Sequence, residues 1–535
     1  MASAYVGVNK SINWLNENTL TWNKTFAEDH DLSLLGGFTM QRNNREYVMA
    51  SSSNFVNDVM QWNNLGAGSV YNKPESNATQ WSLMSYLARV NYTLKHKYLF
   101  SLNARVDGSS RFGANNKYGF FPSASAGWRI SEEAFMESVK ETISNLKLRA
   151  SYGFTGNTEI GVYESLATLG TSNWILGNQL VSGFFPNKIP NPGLKWERTG
   201  QFDVGLDLGL FNNRLRVTMD YYKKKTTDLL YNVAIPYTSG YDTMLKNIGS
   251  LENHGYELSI ESDNLTGPFS WTTAFNISFN RNKVLELGGE EYKEMAEGDG
   301  HLKTGSVRRL IVGEPVGVFY GYRFDGIFQN EEECKQQTSS AAPIGVGLRR
   351  YKDLNGDGKV DAVNDREILG NANPKFFGGL TNTFAYKGFE LNVFLQYSVG
   401  NKILNYNAME LETPTGGQNA YADMVNRWTP ENPSNIYPKA TTNRNVLVSD
   451  RFIEDGSYLK LKTLSLSYSF PKVNIKHIQG LRIYVTGQNL LTWTKYRGYD
   501  PEVSYRGAST LESGEDFGGY PQSRTFMFGV KLDIK

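Results

Sequence analysis

The closing stretch TFMFGVKLDIK (Thr525–Lys535) alternates strictly. Phe526, Phe528, Val530, Leu532 and Ile534 fall on one face, and Thr525, Met527, Gly529, Lys531, Asp533 and Lys535 on the other. Successive side chains of a strand point to opposite faces, so such a ribbon has one greasy side and one wet side. QFDVGLDLGL repeats the design, with Phe202, Val204, Leu206, Leu208 and Leu210 against Gln201, Asp203, Gly205, Asp207 and Gly209. GLRIYVTG sets Leu481, Ile483 and Val485 against Arg482, Tyr484 and Thr486. About fifteen segments have the ~9–11 residues that a tilted membrane strand needs. They centre on Leu20, Leu35, Leu87, Leu102, Ala126, Leu148, Val204, Val217, Leu258, Phe275, Thr383, Val393, Leu466, Ile483 and Phe528.

The connections alternate between short and long. The short set is Ala27–Asp31, His96, Ser131–Asn145, Phe211–Arg214, Ser262–Phe269, Lys387–Gly388 and Pro471–Gly480. Between them fall Arg42–Asn77, Gly108–Tyr118, Gly156–Lys195, Thr226–Gly249, Arg281–Lys375, Asn401–Gly456 and Tyr496–Gln522. A soluble sandwich has no reason to keep its long loops at one end, whereas an outer-membrane barrel pairs short periplasmic turns with long external loops. The expected fold is therefore all-β, a transmembrane antiparallel β-barrel with long extracellular loops. An odd strand count is awkward, because closed bacterial barrels take even numbers. Either one strand is miscounted or further strands precede these.

Composition sharpens the exclusions. Lys plus Arg is 55 and Asp plus Glu is 54, a net charge of +1. A nucleic-acid binder would show a basic excess. The single cysteine, Cys334, permits no disulfide framework or thiolate cluster. Mean hydropathy is -0.45, and no apolar run reaches the ~18 residues of a membrane helix. MASAYVGVNK lacks the basic and apolar regions of a signal peptide. A membrane β-barrel escapes such scans, because only alternate residues face lipid.

Several stretches carry a resemblance to a known family. RVDGSSRFG (Arg105–Gly113) followed by YGFFPSASAGWRISEEAF (Tyr118–Phe135) is the most specific. LRASYGFTGNTEIGVY, NPGLKWERTGQFDVGLDLGLFNNRL, YYKKKTTDLL, NIGSLENHGYELSI, GEPVGVFYGYRFDGIFQ, RWTPENP, GSYLKLKTLSLSYSFP and GQNLLTWTKYRGYDPE continue it. Together they resemble the SusC/RagA type of TonB-dependent outer-membrane transporters, across nearly the whole chain. The resemblance implies a plugged barrel of about 22 strands, capped by a SusD-like surface lipoprotein and energised through TonB. It implies import of an oligosaccharide or peptide across the outer membrane, without enzymatic activity. The plug, the TonB box and the first strands of that pattern have no counterpart here, so the chain reads as the C-terminal part of such a transporter. The family usually ends on an aromatic residue, whereas this chain ends on Ile534 and Lys535.

DLNGDGKVD (Asp353–Asp361) lies inside the long connection 281–375 and opens like a calcium loop. Asp353, Asn355, Asp357, the Lys359 carbonyl and Asp361 take positions 1, 3, 5, 7 and 9, with Gly358 at the turn. Position 12 is Asn364 rather than a bidentate acid, so Asp365 or Glu367 would close a slightly longer loop (353–367). No flanking helices are expected, which makes structural Ca2+ the reading and a paired sensor excluded. The plain alternative is an Asx-rich turn without metal.

Trp62, Trp174, Tyr237, Tyr241 and Tyr421 fall on the external side and are candidate substrate contacts, with loop packing as the simpler role for each. Tyr222, Trp271 and Trp493 lie near strand ends, where amphipathic rings suit the membrane interface. The histidines His30, His96, His254, His301 and His477 are scattered, and no catalytic constellation stands out; the acids of GGEEYKEMAEGDG read as a solvated loop. Two other readings remain open: a passive porin or adhesin barrel, and a soluble calcium-dependent glycan-binding β-protein.

Overall fold

The computed structural model describes residues 2–295, 305–413, 419–442, 446–471, 477–503, 505–507, 509 and 511–534. His301, residues 472–476 of one turn, and Lys535 lie outside them. Fifteen long strands form the main sheet. They are β1 (Ser3–Phe26), β2 (His30–Ser53), β3 (Glu75–Leu94), β4 (Tyr98–Ser109), β5 (Tyr118–Arg129), β6 (Ile143–Asn157), β7 (Glu197–Leu210) and β8 (Leu215–Ala234). They continue as β9 (Thr243–Thr266), β10 (Phe269–Leu287), β11 (Phe376–Tyr386), β12 (Phe389–Val399), β13 (Tyr458–Ser469), β14 (Ile478–Thr494) and β15 (Thr525–Ile534). Their order in the sheet is their order in the chain. Each of the fifteen expected centres falls inside one of them.

The contacts divide the chain into two units. One comprises Met1–Glu132, Arg149–Asp203 and Lys224–Ser250; the other comprises Glu133–Leu148, Val204–Lys223 and Leu251–Lys535.

In the first unit, strand pairing aligns the expected faces. Trp22, Leu34, Val90, Leu102 and Ala124 are successive partners across β1–β5. The four large members of that row are 37–59% exposed. One residue along, Asn23, Ser33, Asn91, Ser101 and Ser125 form the adjacent row on the other face. The second unit repeats the rule. Trp271, Phe384, Leu391, Leu466, Val485 and Phe528 make one row, and Thr272, Thr383, Asn392, Ser465, Thr486 and Met527 its neighbour. Phe528 is 82% exposed. Large apolar side chains open to the outside on one whole face are tolerable only against hydrocarbon. They also exclude the dry sandwich that a soluble β-protein would need.

Short connections are tight. Lys387 and Gly388, the two residues between β11 and β12, both have positive φ (46° and 90°), as a primed hairpin turn demands. Ala27 and Glu28 do the same between β1 and β2, and Lys95 and His96 between β3 and β4. Rings gather beside these turns. Tyr98 stacks on Trp128 at 6.5 Å between centroids, and Phe389 meets Tyr468 at 4.5 Å. Trp271 joins this belt through Phe384 (5.8 Å), and Trp493 is half exposed at the far end of β14. Tyr222 does not belong to it. Its neighbour Tyr221 pairs with the exposed Tyr256, whereas the Tyr222 hydroxyl turns to the other face and donates to Asn280 at 3.2 Å.

Two expected loops are partly strand. β1 and β2 run for 24 residues each, and β2 carries the ribbon from 42 on to Ser53, into the expected loop 42–77. Pairing continues there, and on the polar face side chains bridge its rungs: Gln41 donates to Asn13 (3.2 Å), Asn43 to Ser11 (3.0 Å) and Arg45 to Asn9 (3.0 Å). Likewise 226–249 shrinks to a connection at 235–242, because β8 and β9 carry on through Thr- and Tyr-rich sequence. Hydrophobic alternation marks where a strand meets lipid, not where pairing stops.

The two faces should respond differently to charge. Phe528→Arg should cost about 2–4 kcal/mol of folding free energy near the bilayer midplane. Met527→Arg, 41% exposed on the opposite face of the same strand, should cost far less. Urea titration of refolding into vesicles measures both, and equal losses would contradict the faces.

Candidate functional site

The polar face of the first unit carries a cavity of about 740 Å3. Arg105 grips Asp107 through two bonds (2.7 and 2.9 Å) and donates to Ser85 (3.1 Å). Arg89 donates to Asn103 at 2.6 Å, and Asn103 in turn to Ser123. Leu35, Leu83, Leu87, Phe154 and Trp196 complete the wall. The quoted RVDGSSRFG motif explains itself here. Its first half lines the cavity, and its second half folds back so that Phe112 is buried against Trp196 (4.8 Å) with Phe121, Ile160 and Leu194. Arg111 fixes the neighbouring loop by donating to the Thr158 and Ile160 carbonyls. This constellation was invisible as chemistry in the sequence, because its members are scattered from Glu17 to Trp196.

In the second unit the connections 288–375, 400–457 and 495–524 build a small domain of their own. Val307, Phe319, Leu404, Tyr406, Met409, Val446, Val448 and Phe452 form its core. Short strands knit it: Lys402–Asn405 pairs with Ile453–Asp455 and with Glu515–Asp516. Buried ion pairs lock the three connections together. Arg308 reaches Glu515 at 2.8 Å, both nearly inaccessible. Glu412, fully buried, accepts from Arg451 (2.8 Å) and Arg497 (3.0 Å), and Arg497 also binds Glu454 (2.8 Å). Removing one partner of such a pair leaves an uncompensated buried charge.

A second ionic knot ties this domain to the polar face of the sheet. Lys460 on β13, 1% exposed, donates to Asp500 (2.6 Å) and Glu502 (2.5 Å). A bulge between Leu461 and Thr463 frees Lys462 to reach Glu502 at 3.1 Å. Gln396 and the Tyr458 hydroxyl donate to the same carboxylate. Burial pushes both carboxyls up, but the donors around them together prevail, Lys460 with the Glu502 and Gln522 amides on Asp500 and Lys460 with Lys462 on Glu502, and hold both below the usual carboxylate range.

The calcium-like segment forms linked Asx turns. Asp353 accepts from the Gly356 and Gly358 amides (both 2.7 Å), Asn355 from Asp357 (3.2 Å), and Asp357 from Lys359 (2.8 Å). Asp361 accepts from Val363 and Asn364, and the buried Asp365 from Leu354 and Asp361 (2.7 Å each). Gly356 and Gly358 take the left-handed conformation the bends require (φ 75° and 81°). The carboxylates thus turn to backbone amides, and among the described residues no three acidic, histidine or cysteine side chains converge. Oxygens remain for a hard cation, since a carboxylate offers about four acceptor positions. The segment packs through Val360 on Tyr322, Tyr351 and Leu447.

The five candidate aromatics do not gather. Trp62 (60% exposed), Trp174 (57%) and Tyr237 (83%) stand on three separate connections of the first unit, and the half-buried Tyr241 shares the connection of Tyr237. Tyr421 belongs to the second unit and packs on its core.

A sheet of greasy and wet faces with primed turns at one end and a folded loop domain in its long connections is the wall of an outer-membrane β-barrel. Residues 2–490 match the family described as "TonB dependent receptor-like, beta-barrel", and the chain belongs to that family. It is 41% identical to TonB-dependent receptor P3 of Formosa agariphila over 97% of its own length and 52% of that protein. It is 33% identical to TonB-dependent receptor SusC of Bacteroides thetaiotaomicron, covering 85% of this chain and 44% of that one. Among solved structures, the RagAB peptide importer in its open-open state superposes with a TM-score of 0.82 at 28% identity, over 99% of this chain and 55% of that one. The chain therefore spans about half the length of the curated relatives it matches, and it is an outer-membrane protein.

The ionic knot should be pH-dependent with a definite sign. Both carboxyls are depressed in the folded state, so their stabilisation is complete above the ordinary carboxylate range of about 4. It is lost as pH falls through the depressed values. Wild type should therefore lose thermal stability more steeply than Asp500→Asn/Glu502→Gln in acid. Parallel melting curves below pH 4 would refute the knot.

Proposed function

We propose that this chain is the C-terminal part of an importer that takes an oligosaccharide or peptide across the outer membrane, driven through TonB and covered by a SusD-like lipoprotein. The observation that carries the reading is the loop domain: three long connections fold on a shared core and reach back to the polar face of the wall. A passive porin needs no such structure. The names of the relatives, TonB-dependent receptors, favour energy coupling, and RagAB is called a peptide importer. A partner is favoured by the hairpin Thr168–Leu176/Gln179–Lys188. Among the described residues its strands pair only with each other, and Ile175, Leu180 and Phe184 are 70–76% exposed.

The test uses the complete gene in its host. Deleting it should abolish uptake of one nutrient class, and loss of TonB should do the same. Uptake that survives loss of TonB would favour the passive porin.

Calcium at Asp353, Asn355, Asp357, Lys359, Asp361 and Asp365 is part of the same proposal. The glycine bends support it, as do the acceptor positions that each carboxylate oxygen keeps beyond the bond it already accepts. Its use would be to stiffen the connection and so reduce the ordering cost when a lid or substrate docks. Millimolar Ca2+ should slow proteolysis across residues 353–367 of the intact receptor, and Asp357→Ala should remove that protection. Cleavage indifferent to Ca2+ would retire the metal and leave the Asx turns.

A further inference from the structure

The segment Tyr496–Val503 follows β14 and has no regular structure. It is nevertheless held at almost every second residue. The Tyr496 hydroxyl donates to Asp516 at 2.5 Å, in the interior of the loop domain. Arg497 is fixed between Glu412 and Glu454. Asp500 is bound by Lys460, by the Glu502 amide (2.9 Å) and by the Gln522 amide (3.3 Å). Glu502 takes Lys460, Lys462, Gln396 and Tyr458. The anchors on the sheet side, Gln396, Tyr458 and Lys460, share the polar face with Asn392, Ser465 and Thr486.

One side chain in this run escapes the anchoring. Tyr499 is 81% exposed, although it sits between Arg497 and Asp500, both tied down. A tyrosine ring held open to water on a fixed backbone presents a flat, amphipathic face on which a solute can stack. Fixing the backbone in advance removes most of the entropy that a contact with that ring would otherwise lose.

We infer that residues 496–503 form a strap fixed across the polar face, and that the strap presents Tyr499 as a stacking platform for solutes moving along that face. The ligand chemistry is a flat apolar face on an otherwise polar molecule, such as the C–H face of a sugar ring or an aromatic side chain. This rests on the import reading, which it deepens by naming a residue that selects what passes. Tyr499 acts by direct contact; Asp500 and Glu502 are positioning residues.

The test uses the intact receptor from its complete gene, in outer-membrane vesicles and in cells. In a Cys334→Ser background, Tyr499→Cys should react quickly with sulfonatoethyl methanethiosulfonate. The nutrient whose uptake the gene deletion abolishes should slow that reaction roughly five- to tenfold, the range of one stacking contact. Tyr499→Ala should raise the half-saturating concentration for uptake by a similar factor with an unchanged maximal rate, and Tyr499→Phe and Tyr499→Trp should restore it. Asp500→Asn/Glu502→Gln should weaken the nutrient's protection while the barrel keeps its heat-modifiable migration. Uptake by Tyr499→Ala indistinguishable from wild type, or no protection of Tyr499→Cys, overturns the proposal. Failure of the import reading looks different: no nutrient depends on the gene. The reagent alone then decides the strap, and slow labelling of Tyr499→Cys sinks it.

Discussion

In hydrocarbon, a backbone N–H or C=O has no water to turn to. Each one left unpaired costs several kcal/mol. Everything else in this chain follows from that constraint. Strands must pair edge to edge for the full thickness of the membrane, so β1–β15 follow one another in the sheet without interruption. Once paired, each residue has only two directions to point. One direction receives Trp22, Leu34, Val90 and Leu102, and the other receives Asn23, Ser33, Asn91 and Ser101. The alternation is thus the chemical imprint of two solvents on one ribbon.

Outside the membrane the constraint relaxes, and the chain uses the freedom in two ways. In β1 and β2 it continues the ribbon on polar rungs such as Arg45 with Asn9. In the second unit it abandons the ribbon and folds its connections around Phe319, Tyr406 and Phe452. That small core is not enough to fix loops of this length, so arginines and glutamates are buried with it. Arg308 with Glu515, and Arg451 and Arg497 with Glu412, set the register of one loop against another. Such pairs add little net stability over apolar packing, but their directionality specifies an arrangement. The Lys460 knot then transmits that arrangement to the wall of the sheet.

Much of this was readable in advance, and the errors are instructive. All fifteen strand centres could be placed from alternation, because lipid enforces it residue by residue. Strand ends such as Ser53 and Ala234 could not, because pairing runs on into the expected loops. The face of Tyr222 is not legible either, since the neighbouring Tyr221 and Tyr222 are both compatible with a strand and only pairing sends Tyr222 to Asn280 and Tyr221 to Tyr256. The Asp353–Asp365 run announced its bends through Gly356 and Gly358, but not which way its carboxylates would turn.

The amino-acid sequence by itself determined the two-faced ribbons, the alternation of short and long connections and the family, since each is written in neighbouring residues. The tertiary structure alone decided the cavity around Arg105 and Trp196, the buried knot of Lys460 with Asp500 and Glu502, and the exposure of Tyr499. The physical reason is separation along the chain. A period-two pattern is local, whereas an ion pair between residues forty or two hundred positions apart exists only after the backbone has brought them together.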